Sequence, residues 1–161
     1  MTRAEIEAEL ERLHPAAFAW ALACCGRDRE DALDVLQTSY LKVLEGRASF
    51  AGRSSFKTFL FGVIRRTAQE ARRRSLLRRL ALADWSRKRP PAPAPPLPEE
   101  RVALLRALEA LPRRQRQVLE LVFGFGMTVE EAAGTLGISP GSARVHYERG
   151  KKRLRGTLSH G

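Results

Sequence analysis

The chain has 161 residues, enough for one domain or two small ones, and its 43% hydrophobic content can fill real cores. Its net charge of +11 is concentrated: residues 65–90 hold ten Arg or Lys against Glu70 and Asp84, and residues 144–155 hold six against Glu148, as expected of a protein touching a polyanion at two places. No run approaches the roughly 18 apolar residues that span a bilayer, and MTRAEIEAEL has no secretory pattern, so a cytosolic protein without membrane insertion is expected.

From Arg3 to Cys25 the pattern is helical: Ile6, Leu10, Leu13 and Ala17 form one apolar stripe, continued by Phe18, Leu22 and Cys25. Pro15 either kinks this element or starts a second helix. Cys24 and Cys25 are adjacent and cannot bridge to a distant loop, so they read as small apolar core residues, with a redox or metal role as the rival. Asp28 or Asp31 then opens a helix through Leu44, with Ala32, Val35, Leu36, Tyr40, Val43 and Leu44 inward and Asp34, Gln37, Ser39 and Lys42 outward.

Residues 47–54 read as a loop that carries Phe50 and Gly52 beside Arg53. Ser54 or Ser55 caps a long helix whose first turns hold Phe56, Phe59 and Phe61 and whose later ones hold Arg65, Arg66, Arg72, Arg73 and Arg74. Aromatic rings beside cations at the mouth of a loop suit single-stranded nucleic acid, giving stacking surfaces for bases and positive charge for the backbone. The rival is an aromatic core, which the spacing favours for Phe56 and Phe61 and leaves open for Phe59.

After Leu82 the composition changes to ADWSRKRPPAPAPPLPEE, a proline-rich run that cannot be helical and prefers an extended conformation. An all-α protein of two small domains is therefore expected: a helical domain over 1–83, a linker over 84–98 and a second helical domain over 99–161. In the second, Val102, Leu105 and Leu108 mark one helix, and Pro112 opens another in LPRRQRQVLELVF.

A helix-turn-helix closes the chain. Thr128 caps its first helix with Glu131 completing a capping box, Val129, Ala132, Ala133 and Leu136 form its buried face, and Gly137 ends it. Ser139 and Pro140 start the second helix, with Ile138 and Ala143 placed as a hydrophobic staple. Ala143, Tyr147, Gly150 and Leu154 are expected to lie against the first helix. Ser142, Arg144, Val145, Glu148, Arg149 and Lys152 are left on the opposite face, where such a helix enters a DNA major groove. The bland rival is a helical hairpin with a solvated basic face.

His14, His146 and His160 show no ligand spacing, and no phosphate loop, nucleophile elbow or paired-carboxylate site is present in the sequence. No enzyme, metal or cofactor is expected.

Two strings carry a family resemblance. LPRRQRQVLELVFGFGMTVEEAAGTLGISPGSARVHYERGKKRL is similar to the −35 reading domain, and DALDVLQTSYLKVLEGRASFAGRSSFKTFLFGVIRRTAQEARRR to the −10 reading and melting domain, of the extracytoplasmic-function group of bacterial RNA polymerase sigma factors. The resemblance covers nearly all of the chain except the linker and the termini. It implies that Asp34 and Gln37 dock on core RNA polymerase. It implies too that Phe50, Gly52 and Ser54, with Arg53 among them, form the loop that captures a flipped −10 base, and that Lys57 and Phe59 lie near the melted strand. Arg144, Val145, Glu148 and Arg149 match positions that approach −35 bases.

The chain departs from the family pattern at Phe59, Gly62 and Arg66, where tryptophan, arginine and asparagine are usual, and at Leu33 and Thr38, where acidic residues are usual. Arg66 therefore brings a cation, rather than an asparagine amide, to the −10 surface. Promoter DNA and core polymerase are the implied partners, together with an anti-sigma protein. The alternative reading is a stand-alone regulator that binds duplex DNA through residues 128–158 and dimerises through its N-terminal helices.

Overall fold

Local signals set each helix before any packing is considered. The computed structural model describes residues 1–82 and 97–159, so the expected linker lies almost wholly outside the described residues. Helix α1 (Arg3–Cys24) opens at a capping box in which Thr2 and Glu5 exchange hydrogen bonds, α2 (Arg29–Leu44) at Asp28, and α3 (Phe56–Leu82) follows Ser55, whose Oγ accepts the Thr58 amide at 3.1 Å. Helices α4 (Glu99–Glu109) and α5 (Arg113–Leu119) follow prolines, and α5 runs into a π-helical segment at Glu120–Gly124. Helices α6 (Val129–Leu136) and α7 (Pro140–Ser159) complete the set, with no strand among the described residues. The chain divides into two units, Met1–Pro93 and Ala94–Gly161.

In the first unit α1, α2 and α3 pack on one another. Pro15 lies inside α1 without ending it, which settles the choice between a continued and a restarted helix. A proline there removes one backbone bond and costs roughly 3 kcal/mol. Leu10 and Leu13 before it and Ala17 and Trp20 after it are all buried, so core packing holds both halves in one helix. Beyond Ala17 the buried stripe runs through Trp20, Ala21 and Cys24 rather than Phe18, Leu22 and Cys25, which are only partly covered. Trp20 anchors this core: its ring stacks on Phe61, centroids 5.8 Å apart, and its Nε1 donates to the Phe61 carbonyl at 3.0 Å.

One outward assignment is corrected here, and one cation of α3 proves to be buried. Ser39 is fully buried, because it continues the Ala32, Val35, Val43 stripe, and its hydroxyl donates to the Val35 carbonyl at 2.7 Å. Arg65 is only 8% exposed, because with Phe61 and Ala68 it falls at i, i+4, i+7 on the inner side of α3. Lys42 is half-buried and ties α2 to α3, donating to Thr67 Oγ1 at 3.1 Å and Glu70 Oε2 at 2.8 Å. That bond holds the Glu70 carboxyl below the usual carboxylate range.

The second unit centres on Leu111, Val118, Leu119, Leu121, Met127, Ala132, Ala133, Leu136 and Ala143, all buried. Helix α7 packs on α4, α5 and α6. Gly150 faces α5: a Cβ there would stand 3.1 Å from Leu119 Cδ1 and 3.3 Å from Gln115 Cβ. The expected packing of α7 against α6 is thus corrected, since its inner face is shared among α4, α5 and α6, and Tyr147 lies against Phe123 of the π-helical segment, centroids 6.0 Å apart.

Candidate nucleic-acid interface

The helix-turn-helix is built as its caps require. Thr128 Oγ1 accepts the Glu131 amide at 3.0 Å and Glu131 Oε1 accepts the Thr128 amide at 3.2 Å. Gly137 takes φ +66, the left-handed cap that lets the chain turn within three residues, and Ser139 Oγ accepts the Ser142 amide at 3.1 Å to start α7. Small residues at the crossing, Ala132, Ala133 and Ala143, are all buried and let the two backbones approach closely.

This geometry leaves Ser142, Arg144, Val145, Glu148, Arg149 and Lys152 exposed on α7, all six residues expected on its outer face. Three of them are engaged with other side chains, Ser142 Oγ accepting from Ser139 Oγ at 3.0 Å. Arg144 Nη2 donates to Glu130 Oε1 on α6 at 2.9 Å, and this bond holds the Glu130 carboxyl below the usual range. Glu148 pairs with Lys151 at 3.5 Å, rather than with either cation four residues away. Lys151 also stands 4.3 Å from the centroid of the Tyr147 ring, so it is drawn toward the aromatic side of α7. Phe123, stacked on Tyr147, is 66% exposed.

In the first unit the loop before α3 folds its aromatic residue inward. Phe50 meets Phe56 edge-on at 5.6 Å and Phe59 at 5.3 Å, while Phe56 and Phe59 stand 5.7 Å apart. Phe56 and Phe61 are buried; Phe50 and Phe59 are half-covered and keep ring area for a ligand. Gly52 turns the loop at φ +73, and Arg53 and Ser54 project from it, exposed. Lys57 is half-buried with its ammonium 5.7 Å from the Phe61 ring centroid, and Arg66 is exposed farther along the same helix. The structure thus groups Phe50 and Phe59, with Phe56 as the floor that spacing alone assigned to the core.

Toward the C-terminal half of α3, Arg72 acts differently from its neighbours, donating to the Cys24 carbonyl at 2.6 Å and capping the end of α1. Arg73, Arg74, Arg78 and Arg79 are exposed. On α2, Asp34 and Gln37 are exposed, flanked by Leu33 and Leu41 at 45% and 43% exposure. Sequence reasoning missed Glu130, Phe56 as part of the loop cluster, and Leu41. Glu130 lies fourteen residues from Arg144, beyond any local spacing rule.

Among the described residues, no three His, Cys, Asp or Glu gather as a metal site, and no helix is long and apolar enough to cross a membrane.

The Sigma-70 region 2 family matches residues 10–79 and the Sigma-70, region 4 family matches residues 101–154. The chain is 31% identical over 160 residues to the ECF RNA polymerase sigma factor ShbA of Streptomyces griseus, covering 91% of this chain and 83% of that one. It is 32% identical over 132 residues to RNA polymerase sigma factor CarQ of Myxococcus xanthus, covering 79% and 74%.

The chain belongs to the ECF RNA polymerase sigma factors.

Its fold is similar to that of the sigma factor RpoE from Bartonella quintana, solved with the anti-sigma factor NepR, at a TM-score of 0.74 and 24% identity over 96% of this chain and 97% of that one. The protein is an alternative sigma factor directing transcription initiation. Both of the surfaces described above fall inside the matched regions, the loop and α3 in region 2 and the helix-turn-helix in region 4. A stand-alone dimeric regulator would account for the second surface and leave the first without a use.

Proposed function

We propose that this sigma factor binds core RNA polymerase through the Asp34 and Gln37 face of α2, reads a −35 element with α7, and opens the −10 element with the 47–54 loop and the start of α3. Ser142, Arg144, Val145, Glu148, Arg149 and Lys152 face the −35 major groove. Phe50, Gly52, Arg53, Ser54, Lys57, Phe59 and Arg66 face the −10 strand, where half-covered rings accept an unstacked base and the cations follow the backbone. Unstacking costs a few kcal/mol, which stacking on a ring at roughly 1 to 3 kcal/mol per base offsets. The protein acts in the cytosol, does no covalent chemistry itself, and is held inactive by an anti-sigma protein.

The observation that supports this reading most is the coexistence of two exposed basic surfaces of different kinds. One has partly covered aromatic rings beside a turn, suited to single strands; the other has a capped helix with a polar outer face, suited to a groove. Transcription of fragmented genomic DNA by purified core polymerase, with and without this protein, tests it. New discrete start sites sharing a −35 and −10 pair are expected, and their absence would sink the reading.

A further inference from the structure

Two adjacent glutamates open α6, and their carboxylates go to different partners. Glu131 closes the capping box with Thr128. Glu130 crosses to α7 and accepts from Arg144 Nη2 at 2.9 Å, although both side chains are more than half exposed. Arg149 and Lys152, on the same outer face, make no ion pair among the described residues. Arg144 is therefore distinguished from the other cations by a carboxylate held against it from the neighbouring helix.

A guanidinium carries five N–H donors in a planar fork. Glu130 takes one of its nitrogens and leaves the remaining donors for a ligand. An arginine on a helix surface otherwise samples many rotamers and settles on the nearest phosphate, a contact that carries no sequence information. Held by a second helix, the same arginine is ordered before it binds. The carboxylate also repels phosphates, so it opposes binding wherever base contacts do not compensate.

We propose that Glu130 is a positioning residue for −35 specificity, which presents Arg144 to a base edge and withholds it from the backbone. This rests on the reading of α7 as the −35 helix. Glu130 then lowers affinity for every DNA while raising discrimination at the one base pair that Arg144 reads.

The test uses holoenzyme assembled from core polymerase and the full chain, as wild type, Glu130→Gln, Glu130→Ala, Arg144→Ala, Arg149→Ala and the Glu130→Ala, Arg144→Ala double variant. Binding is measured on promoter fragments with each −35 base pair varied, and on unrelated duplex DNA over a range of salt. Both Glu130 variants are expected to bind unrelated DNA more tightly, with a salt slope steeper by up to about one unit. They should lose about threefold in discrimination at the pair where Arg144→Ala acts, in keeping with the modest strength of an exposed ion pair. Discrimination at the pair where Arg149→Ala acts should not change, and the double variant should match Arg144→Ala in discrimination at every −35 pair.

Unchanged discrimination in the Glu130 variants, or independent effects of the two positions on discrimination in the double variant, would overturn the positioning role alone. If Arg144→Ala alters preference at no −35 pair, the assignment of the reading face of α7 falls, and the role of Glu130 falls with it.

Discussion

At position 150 a glycine sits in the middle of a 20-residue helix, where it costs roughly 1 kcal/mol relative to alanine. The cost is offset by what its missing side chain permits, since Leu119 Cδ1 and Gln115 Cβ of α5 close to 3.1 and 3.3 Å of where a Cβ would be. A branched side chain has no room there. Gly150→Val should destabilise the C-terminal unit by about 2 kcal/mol through overpacking, read as a lower urea midpoint. A midpoint equal to wild type would mean that α5 and α7 have slack at their crossing. Sequence spacing placed Gly150 on the inner face correctly, and then assigned it to the wrong neighbour. Position on a helix face follows from 3.6-residue periodicity, whereas the identity of the facing helix depends on how several elements pack together. Ser39 carries the same lesson in reverse: it falls on a buried stripe by spacing, and polarity alone sent it outward.

At the scale of elements, the 47–54 loop and the first turn of α3 form one unit through Phe50, Phe56 and Phe59. Their burial differs, and that separates structural from functional roles. Phe56 is buried, so Phe56→Ala should cost roughly 3 to 5 kcal/mol of stability. Phe50 is half-covered, so Phe50→Ala should cost only about 1 kcal/mol in folding and act mainly on promoter opening. Permanganate reactivity of −10 thymines should drop in the Phe50 variant while closed-complex formation changes little, because a base pocket matters only after unstacking. Full reactivity at wild-type rates would make Phe50 a core residue. The loop itself was legible as a break in periodicity. Its inward fold was not, since the meeting of three rings depends on the turn at Gly52 and on the start of α3 at Ser55.

For the molecule as a whole, the net charge of +11 divides into functional and structural cations. Arg72 is engaged by the Cys24 carbonyl and Arg65 is buried, while Arg73, Arg78 and Arg79 are exposed on α3. Replacing those last three by alanine should leave the fold within about 0.5 kcal/mol per site. The salt dependence of promoter binding should become shallower by about 0.9 for each phosphate that these arginines no longer neutralise. An unchanged slope would mean that this part of α3 never approaches the backbone. The sequence by itself determined the helical class, the capping residues of α6 and α7, and the outer face of α7, because caps, breaks and periodicity are read within a few residues of chain. Only the tertiary structure decided that Pro15 stays inside one helix, that Gly150 meets α5, that Phe50 turns in on Phe56 and Phe59, and that Glu130 rather than Glu131 reaches Arg144. Each of these joins residues of different elements, or is settled by packing against them, and no local rule specifies which neighbour the completed core will supply.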